Sequence, residues 1–355
     1  MRRITNVRLP KPLEDSINQT LWSISLNERD EITQIDRIDA GTAVSGEDWQ
    51  GDWLSPMGVD LQMNGGLGLA FPELTQENSP KLFNLLDRLW LDGIDAICPT
   101  IISSDITHLR QALQVLQEAR KKHCPQRCEL LGAHLEGPFL AAERCGAHRK
   151  EHLCKPSLKA LEIRIKDFER EISLMTIAPE LTGSLPVIKR LQELNILVCI
   201  GHSMANTATC STAFRQGIGM LTHTFNAMPG LHHRDPGPVG EAIKNGKTAL
   251  GLIADGVHVH PQILSILQKI APEQIILVSD SLPPYGLEVD KYDWNQGSLI
   301  IDNGTCRLED GTLAGVTMPL LEGCKLFAKW TSNPSCAIWA ATISPRRILG
   351  KGLST

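Results

Sequence analysis

The sequence predicts an α/β fold: a (β/α)8 barrel of the TIM type, with a small β-sandwich-like domain built from the N-terminus. Three observations carry this. From Val59 onward, eight short apolar runs alternate with helix-like stretches, the number such a barrel demands. A polar residue follows run after run, at Gln62, Thr100, Glu136, Glu180, His202, His223, Asp255 and Asp280, where a barrel keeps its chemistry. Before Val59 the chain breaks into short alternating pieces such as Leu21–Leu26, which read as antiparallel strands. A doubly wound open sheet shares the alternation, but it gathers its site at one switch point rather than at many strand ends.

The elements follow in order. Residues 1–54 form the small β-domain, joined by part of the C-terminal tail, and no convincing site residue falls there. The barrel occupies 55–345 and a short tail 346–355. Its first strand, around Val59–Gln62, closes in the loop Met63–Gly68. The later strands are expected at Ile94–Thr100, Glu129–Leu135, Ile172–Ala178, Ile196–Ile200, Gly219–Thr222, Ala249–Ile253 and Gln274–Val278. Helices are expected at Pro80–Leu91, Asp105–Ala119, Pro186–Glu193, Pro261–Ile270, Pro319–Trp330 and Ser335–Thr342. Asn303-Gly304 between apolar runs marks a hairpin turn.

Composition narrows the function. Of 355 residues, 42% are hydrophobic and 21% charged, which suits a soluble globular chain. A net charge of −5 lacks the basic field that nucleic acid or an anionic membrane surface requires. The two N-terminal arginines precede no apolar segment and no run is long enough to span a bilayer, so a cytoplasmic protein is expected. Ten scattered cysteines form no Cys-x-x-Cys pair and read as mostly buried and reduced, including Cys98, Cys128 and Cys199.

The chemistry-bearing residues gain weight together. Glu136 in Ala133–Phe139, His202 in Gly201-His202-Ser203 and His223 in Thr222-His223-Thr224 each end an apolar run. Alone, each has a structural explanation, as an ion pair or a backbone cap. One carboxylate and two imidazoles are also a common catalytic metal set that leaves coordination open for water and substrate. Asp280, after the last run, is placed to move a proton beside such a site, or to cap a helix. The long loop from Thr222 to Gly237 carries Arg234, which can fork onto a phosphate or carboxylate, while His232 and His233 read as loop residues.

These words, together with Gly58–Gly65, Arg234-Asp235-Pro236-Gly237, Ile253–Val259, Val278-Ser279-Asp280 and Leu313-Ala314-Gly315, run in an order that resembles the N-acetylglucosamine-6-phosphate deacetylases of the amidohydrolase superfamily. Where most amidohydrolases carry His-x-His, this chain has Gln62-Met63-Asn64, as that subfamily does; a single ion on Glu136, His202 and His223 is the simpler expectation. For one carboxylate and two imidazoles zinc is the first expectation, with iron, cobalt or manganese as alternatives. The resemblance implies that His148 polarises or orients an acetamide, that Asp280 is the acid/base, that Asn226 and Ala227 contact a sugar phosphate, and that His258 contacts substrate. It further implies a homodimer in which Arg234 crosses to the neighbouring subunit's phosphate.

The implied reaction releases acetate from N-acetylglucosamine 6-phosphate. The alternatives are another N-acetyl amino sugar phosphate, a cyclic amide, or a non-catalytic amidohydrolase-like binding protein. Val316 departs from the Ser usual after Leu-Ala-Gly in that family, and the C-terminal strands that the resemblance implies would close the small domain are expected to be missing or reduced.

Overall fold

The computed structural model describes residues 2–13, 20–39, 41–295 and 297–350, so the last five residues of the predicted tail lie outside it. Strands β1 (Arg2–Val7), β2 (Leu21–Leu26) and β3 (Ile32–Ile38) pair antiparallel, and the two-residue β4 (Glu47–Asp48) joins the open edge of β1 in parallel. The N-terminal module is therefore one sheet among the described residues, not two stacked ones. Its edge strand runs parallel because the chain crosses over between β3 and β4 instead of turning back. Ile4, Val7, Ile24 and Leu26 pack with Trp22, Trp49 and Leu54 into a small apolar cluster of its own.

The barrel begins with β5 (Gly58–Met63), followed by the minimal hairpin β6 (Gly65–Gly66) and β7 (Leu69–Ala70), then α1 (Ser79–Leu91), β8 (Ile94–Ile102) and α2 (Ile106–Arg120). Asp105 caps α2 by accepting from the N–H of Thr107 and of His108, and the spacing of Leu109, Ala112, Leu113 and Leu116 turns one face inward. The run expected as one strand at 129–135 divides into β9 (Glu129–Leu130) and β10 (Ala133–Glu136) around Gly132, whose φ of 123° no strand residue adopts.

Next come α3 (Leu158–Ile165), β11 (Ile172–Ile177), α4 (Ser184–Glu193), β12 (Leu197–Ile200), α5 (Thr207–Arg215), β13 (Met220–Leu221), α6 (Gly237–Asn245), β14 (Ala249–Leu252), α7 (Pro261–Ile270) and β15 (Ile275–Leu277). The strands pair in parallel in the order β15-β14-β13-β12-β11-β10-β8-β5, with β9 beside β8. The ring closes through Asp280 N to Gln62 O at 2.8 Å and Asn64 N to Ser281 O at 2.7 Å.

Alternate residues of the strands enter two apolar clusters. Val59, Leu61, Ala96, Cys98, Leu174, Cys199, Met220 and Ile276 fill the barrel interior, while Ile97, Leu135, Met175, Val198, Leu250 and Ile275 pack outward against the helices. Each such side chain taken out of water stabilises by about 1.5–3 kcal/mol, so both faces hold the strands in register. The interior is apolar toward the strand starts and polar toward their ends, and this gradient places the site.

An antiparallel sheet follows β15: β16 (Lys291–Trp294), β17 (Gly297–Asp302), β18 (Thr305–Leu308) and β19 (Leu313–Val316). The predicted turn at Asn303-Gly304 joins β17 to β18, with φ of 48° and 83°. Helices α8 (Leu320–Thr331) and α9 (Pro334–Ile348) end the described chain, and α9 runs through the position where the sequence places the start of the tail. Ile348 and Leu349 pack against the interior cluster and help close the strand-start end of the barrel. No helix among the described residues is long and apolar enough to cross a membrane.

Candidate active site

Above the apolar layer, the barrel interior becomes hydrogen-bonded. His134 Nε2 lies 2.7 Å from Thr176 Oγ1, which lies 2.6 Å from Thr222 Oγ1, while Thr100 Oγ1 accepts from Met63 N at 3.0 Å. Burial pulls His134 down to about 4, so this imidazole stays neutral and bridges β10 and β11 as one donor and one acceptor. The layer sits just beneath Glu136 and His223.

Three donor atoms converge on the next level. Glu136 Oε1 is 3.2 Å from His202 Nε2 and 3.0 Å from His223 Nε2, and the two nitrogens are 3.0 Å apart. Tetrahedral ligands held about 2.0–2.1 Å from one ion stand roughly 3.3–3.4 Å from each other, so the triangle fits a single small divalent cation. Gly137 makes the turn beyond Glu136 at φ 92°, and a Cβ there would lie 2.3 Å from Ser103 Oγ. His202, His223 and Asp280 leave their strands at φ of 47°, 28° and 54°, left-handed conformations that cost a non-glycine residue about 1 kcal/mol or more.

A second grouping, Glu136, His148 and His202, also puts one donor atom each within 4.8 Å of the others. Hydrogen bonding separates the two. The Ser103 backbone N–H donates to His148 Nδ1 at 3.2 Å, so the His148 proton sits on Nε2, 3.7 Å from Glu136 Oε2. That nitrogen is a donor, not a ligand. His202 is the reverse: its Nδ1–H donates to Arg144 O at 2.7 Å, which leaves the Nε2 lone pair facing Glu136.

The electrostatics favour a positive charge here. Burial works against ionised Glu136, but the facing imidazoles of His148, His202 and His223 outweigh it and hold the carboxyl well below the usual range. Burial also opposes an imidazolium at His223, yet Glu136 lifts it to about 8. His202 is lowered by burial and by His148.

Beside the triangle, Asp280 Oδ1 accepts from Asn64 Nδ2 at 2.7 Å and Gln62 Nε2 at 3.1 Å, and the same Gln62 nitrogen is 3.4 Å from Glu136 Oε1. The Gln62 amide links the two carboxylates, and among the described residues Gln62 Oε1 and Asn64 Oδ1 are buried acceptors without a partner. Burial raises the Asp280 pKa above its ordinary value.

These groups open into a cavity of about 520 Å³ lined by Asn64, Glu136, His148, His202, His223, Asn226, Ala227, His258 and Asp280, among others. Asp255 Oδ2 holds His258 Nδ1 at 2.7 Å, so the free Nε2 of His258 serves as an acceptor. Arg234 is not among the lining residues of its own chain; it is exposed, with Nη1 2.9 Å from His233 Nε2. Sequence reasoning missed Ser103, which sets the His148 tautomer, and Arg144 and Arg307, which line the cavity. Only proximity to predicted strand ends hinted at Ser103, and nothing in the sequence pointed to Arg307.

No protein-family model matches the chain. A curated relative, the N-acetylglucosamine-6-phosphate deacetylase of Bos taurus, is 32% identical over 306 residues, 84% of this chain and 74% of the relative. The chain belongs to the N-acetylglucosamine-6-phosphate deacetylase family. An N-acetylgalactosamine-6-phosphate deacetylase from Escherichia coli O157:H7 is 30% identical over 302 residues, 84% of this chain and 78% of the relative. The crystal structure of the Thermotoga maritima N-acetylglucosamine-6-phosphate deacetylase superposes with a TM-score of 0.82 at 25% identity, covering 98% of this chain and 90% of that one. The Thermotoga maritima deacetylase thus shares the fold of this chain.

Proposed function

We propose that the protein hydrolyses the acetamide of N-acetyl-D-glucosamine 6-phosphate to D-glucosamine 6-phosphate and acetate, with one divalent ion per subunit on Glu136, His202 and His223. The observation that carries this is the donor triangle beside an amide-tethered Asp280, at the floor of a cavity sized for one sugar. Zinc is the first choice for one carboxylate and two imidazoles, with iron, cobalt and manganese as alternatives. When bound, such an ion lowers the pKa of a water and polarises a carbonyl.

The chain's own residues do the rest. Asp280, with Oδ1 held by Asn64 and Gln62, takes a proton from the attacking water and passes it to the departing amine. His148 Nε2–H donates to the acetamide oxygen as negative charge develops there. His258 Nε2 accepts from a sugar hydroxyl. Asn226 and Ala227 line the phosphate end. Arg234, exposed on its loop, reaches the neighbouring subunit's phosphate in a homodimer. Ten cysteines with no disulfide among the described residues suit a reducing compartment, and we place the enzyme in the cytoplasm.

A second reading changes the sugar's C4 configuration, favoured by the N-acetylgalactosamine-6-phosphate deacetylase among the relatives. A non-catalytic scaffold has less support, because the ligand triangle and Asp280 are intact. Acetate release from the two epimers, each with and without its phosphate, tests all three: turnover of the glucosamine epimer carries the proposal, preference for the other epimer overturns its sugar, and no turnover by metal-loaded protein overturns it altogether.

A further inference from the structure

The β18–β19 hairpin contributes Arg307, Gly311, Thr312, Leu313 and Ala314 to the cavity lining. A register shift in that hairpin pairs Cys306 with Gly315 but Arg307 with Leu313, so the ladder skips Ala314. Such a bulge re-aims side chains. Cys306 packs inward with Leu282, Trp294 and Leu299, while Arg307, Leu313 and Ala314 face the cavity.

Arg307 Nη1 donates to Gly311 O at 3.1 Å, which anchors the guanidinium to its own turn. The neighbouring carboxylates are engaged elsewhere, Glu309 with Lys291 Nζ at 3.3 Å and Asp310 with Thr312 N at 2.9 Å. No carboxylate among the described residues forms an ion pair with Arg307, so an anchored guanidinium lines a reaction cavity with donors to spare. Arg144 and Glu143, on the loop after β10, also line the cavity; the Arg144 carbonyl accepts from His202, and Arg144 Nε is 3.0 Å from Met204 Sδ. A sugar phosphate carries close to two negative charges at neutral pH and presents oxygens matched to a guanidinium fork.

We propose that Arg307 is a specificity-determining residue that binds the substrate's phosphate from the same chain that carries the reacting groups. The inference rests on the deacetylase reading for its substrate, and it gives each protomer a phosphate-recognising cation independent of Arg234.

The test compares wild-type, Arg307→Ala and Arg307→Lys metal-loaded enzymes on N-acetylglucosamine 6-phosphate and on N-acetylglucosamine. Charged hydrogen bonds of this kind predict a KM for the phosphorylated sugar about 10- to 100-fold higher in R307A, with kcat within about threefold. The preference for the phosphorylated sugar shrinks by the same factor. R307K restores part of the loss, since a lysine keeps the charge without the fork. An equal fall on both sugars, or no change on either, overturns the proposal.

Calorimetric titration of inorganic phosphate into the same proteins separates this question from the reaction. If wild-type enzyme released no acetate, the deacetylase reading would fall, and the titration alone would decide Arg307. Weaker phosphate binding by R307A supports the role and equal binding overturns it.

Discussion

The backbone N–H of Ser103 donates to Nδ1 of His148 over 3.2 Å, with Ser103 Oγ 3.0 Å from the same nitrogen, and this contact sets His148 apart from His202. His148 carries its proton on Nε2 and is a donor into the cavity. His202, with its proton on Nδ1 toward Arg144 O, has its lone pair free. His148→Asn is therefore expected to retain a full complement of metal while kcat falls about 100-fold or more, and His202→Asn to lose the metal. Elemental analysis of the purified variants checks this; loss of metal from H148N contradicts it.

Asp280 accepts at Oδ1 from Asn64 and Gln62, an arrangement that Asn also fits sterically. Asp280→Asn is expected to cut turnover about 10²- to 10⁴-fold, the usual worth of a positioned acid/base. Metal content and sugar binding should persist. Turnover within about tenfold of wild type rules out the role.

The threonine layer under the site supports the ligands above it. Thr176→Val leaves His134 Nε2 and Thr222 Oγ1 buried with one partner fewer, which costs about 1–3 kcal/mol. Thermal denaturation of metal-free protein should show a lower Tm for T176V. An unchanged Tm shows that the layer does not hold the strand ends.

Much of this was legible in the sequence. The eight runs appear as strands in the predicted order, because strands buried on both faces must be apolar along their length and period 2 alone sorts them inside and out. Glu136, His202 and His223 stood out because a charge or imidazole at the end of such a run has nothing apolar to do. The sequence was silent on what depends on backbone direction. It read 129–135 as one strand, and only the φ of Gly132 breaks the run. Ser103, Thr176 and Arg307 resemble any serine, threonine or arginine until the fold sets them beside His148, His134 and the cavity. Arg234 was read as reaching a neighbouring subunit's phosphate, and it is not among the residues that line its own chain's cavity.

Asp60 supplies a pH signature of folding. It is fully buried and accepts from the N–H of Gln62 and of Ser279, each at 3.2 Å, but burial still raises its pKa to about 7. The neutral form is favoured in the folded state, so the contribution of Asp60 to stability is intact below its unfolded pKa near 4 and declines as pH rises toward 7. The decline is on the order of a few kcal/mol. Asp60→Asn, which keeps the acceptor and never ionises, should gain stability relative to wild type between pH 5 and pH 8 in chemical denaturation. A pH-independent difference contradicts the assignment.

The central claim is that Glu136, His202 and His223 hold one divalent ion on which deacetylation depends. Acetate release from N-acetylglucosamine 6-phosphate, measured on purified protein, after chelation, and after adding back zinc, iron, cobalt or manganese, tests it most directly. The account predicts loss of activity on chelation and recovery at one ion per subunit. Full acetate release by protein shown to contain no metal would contradict it.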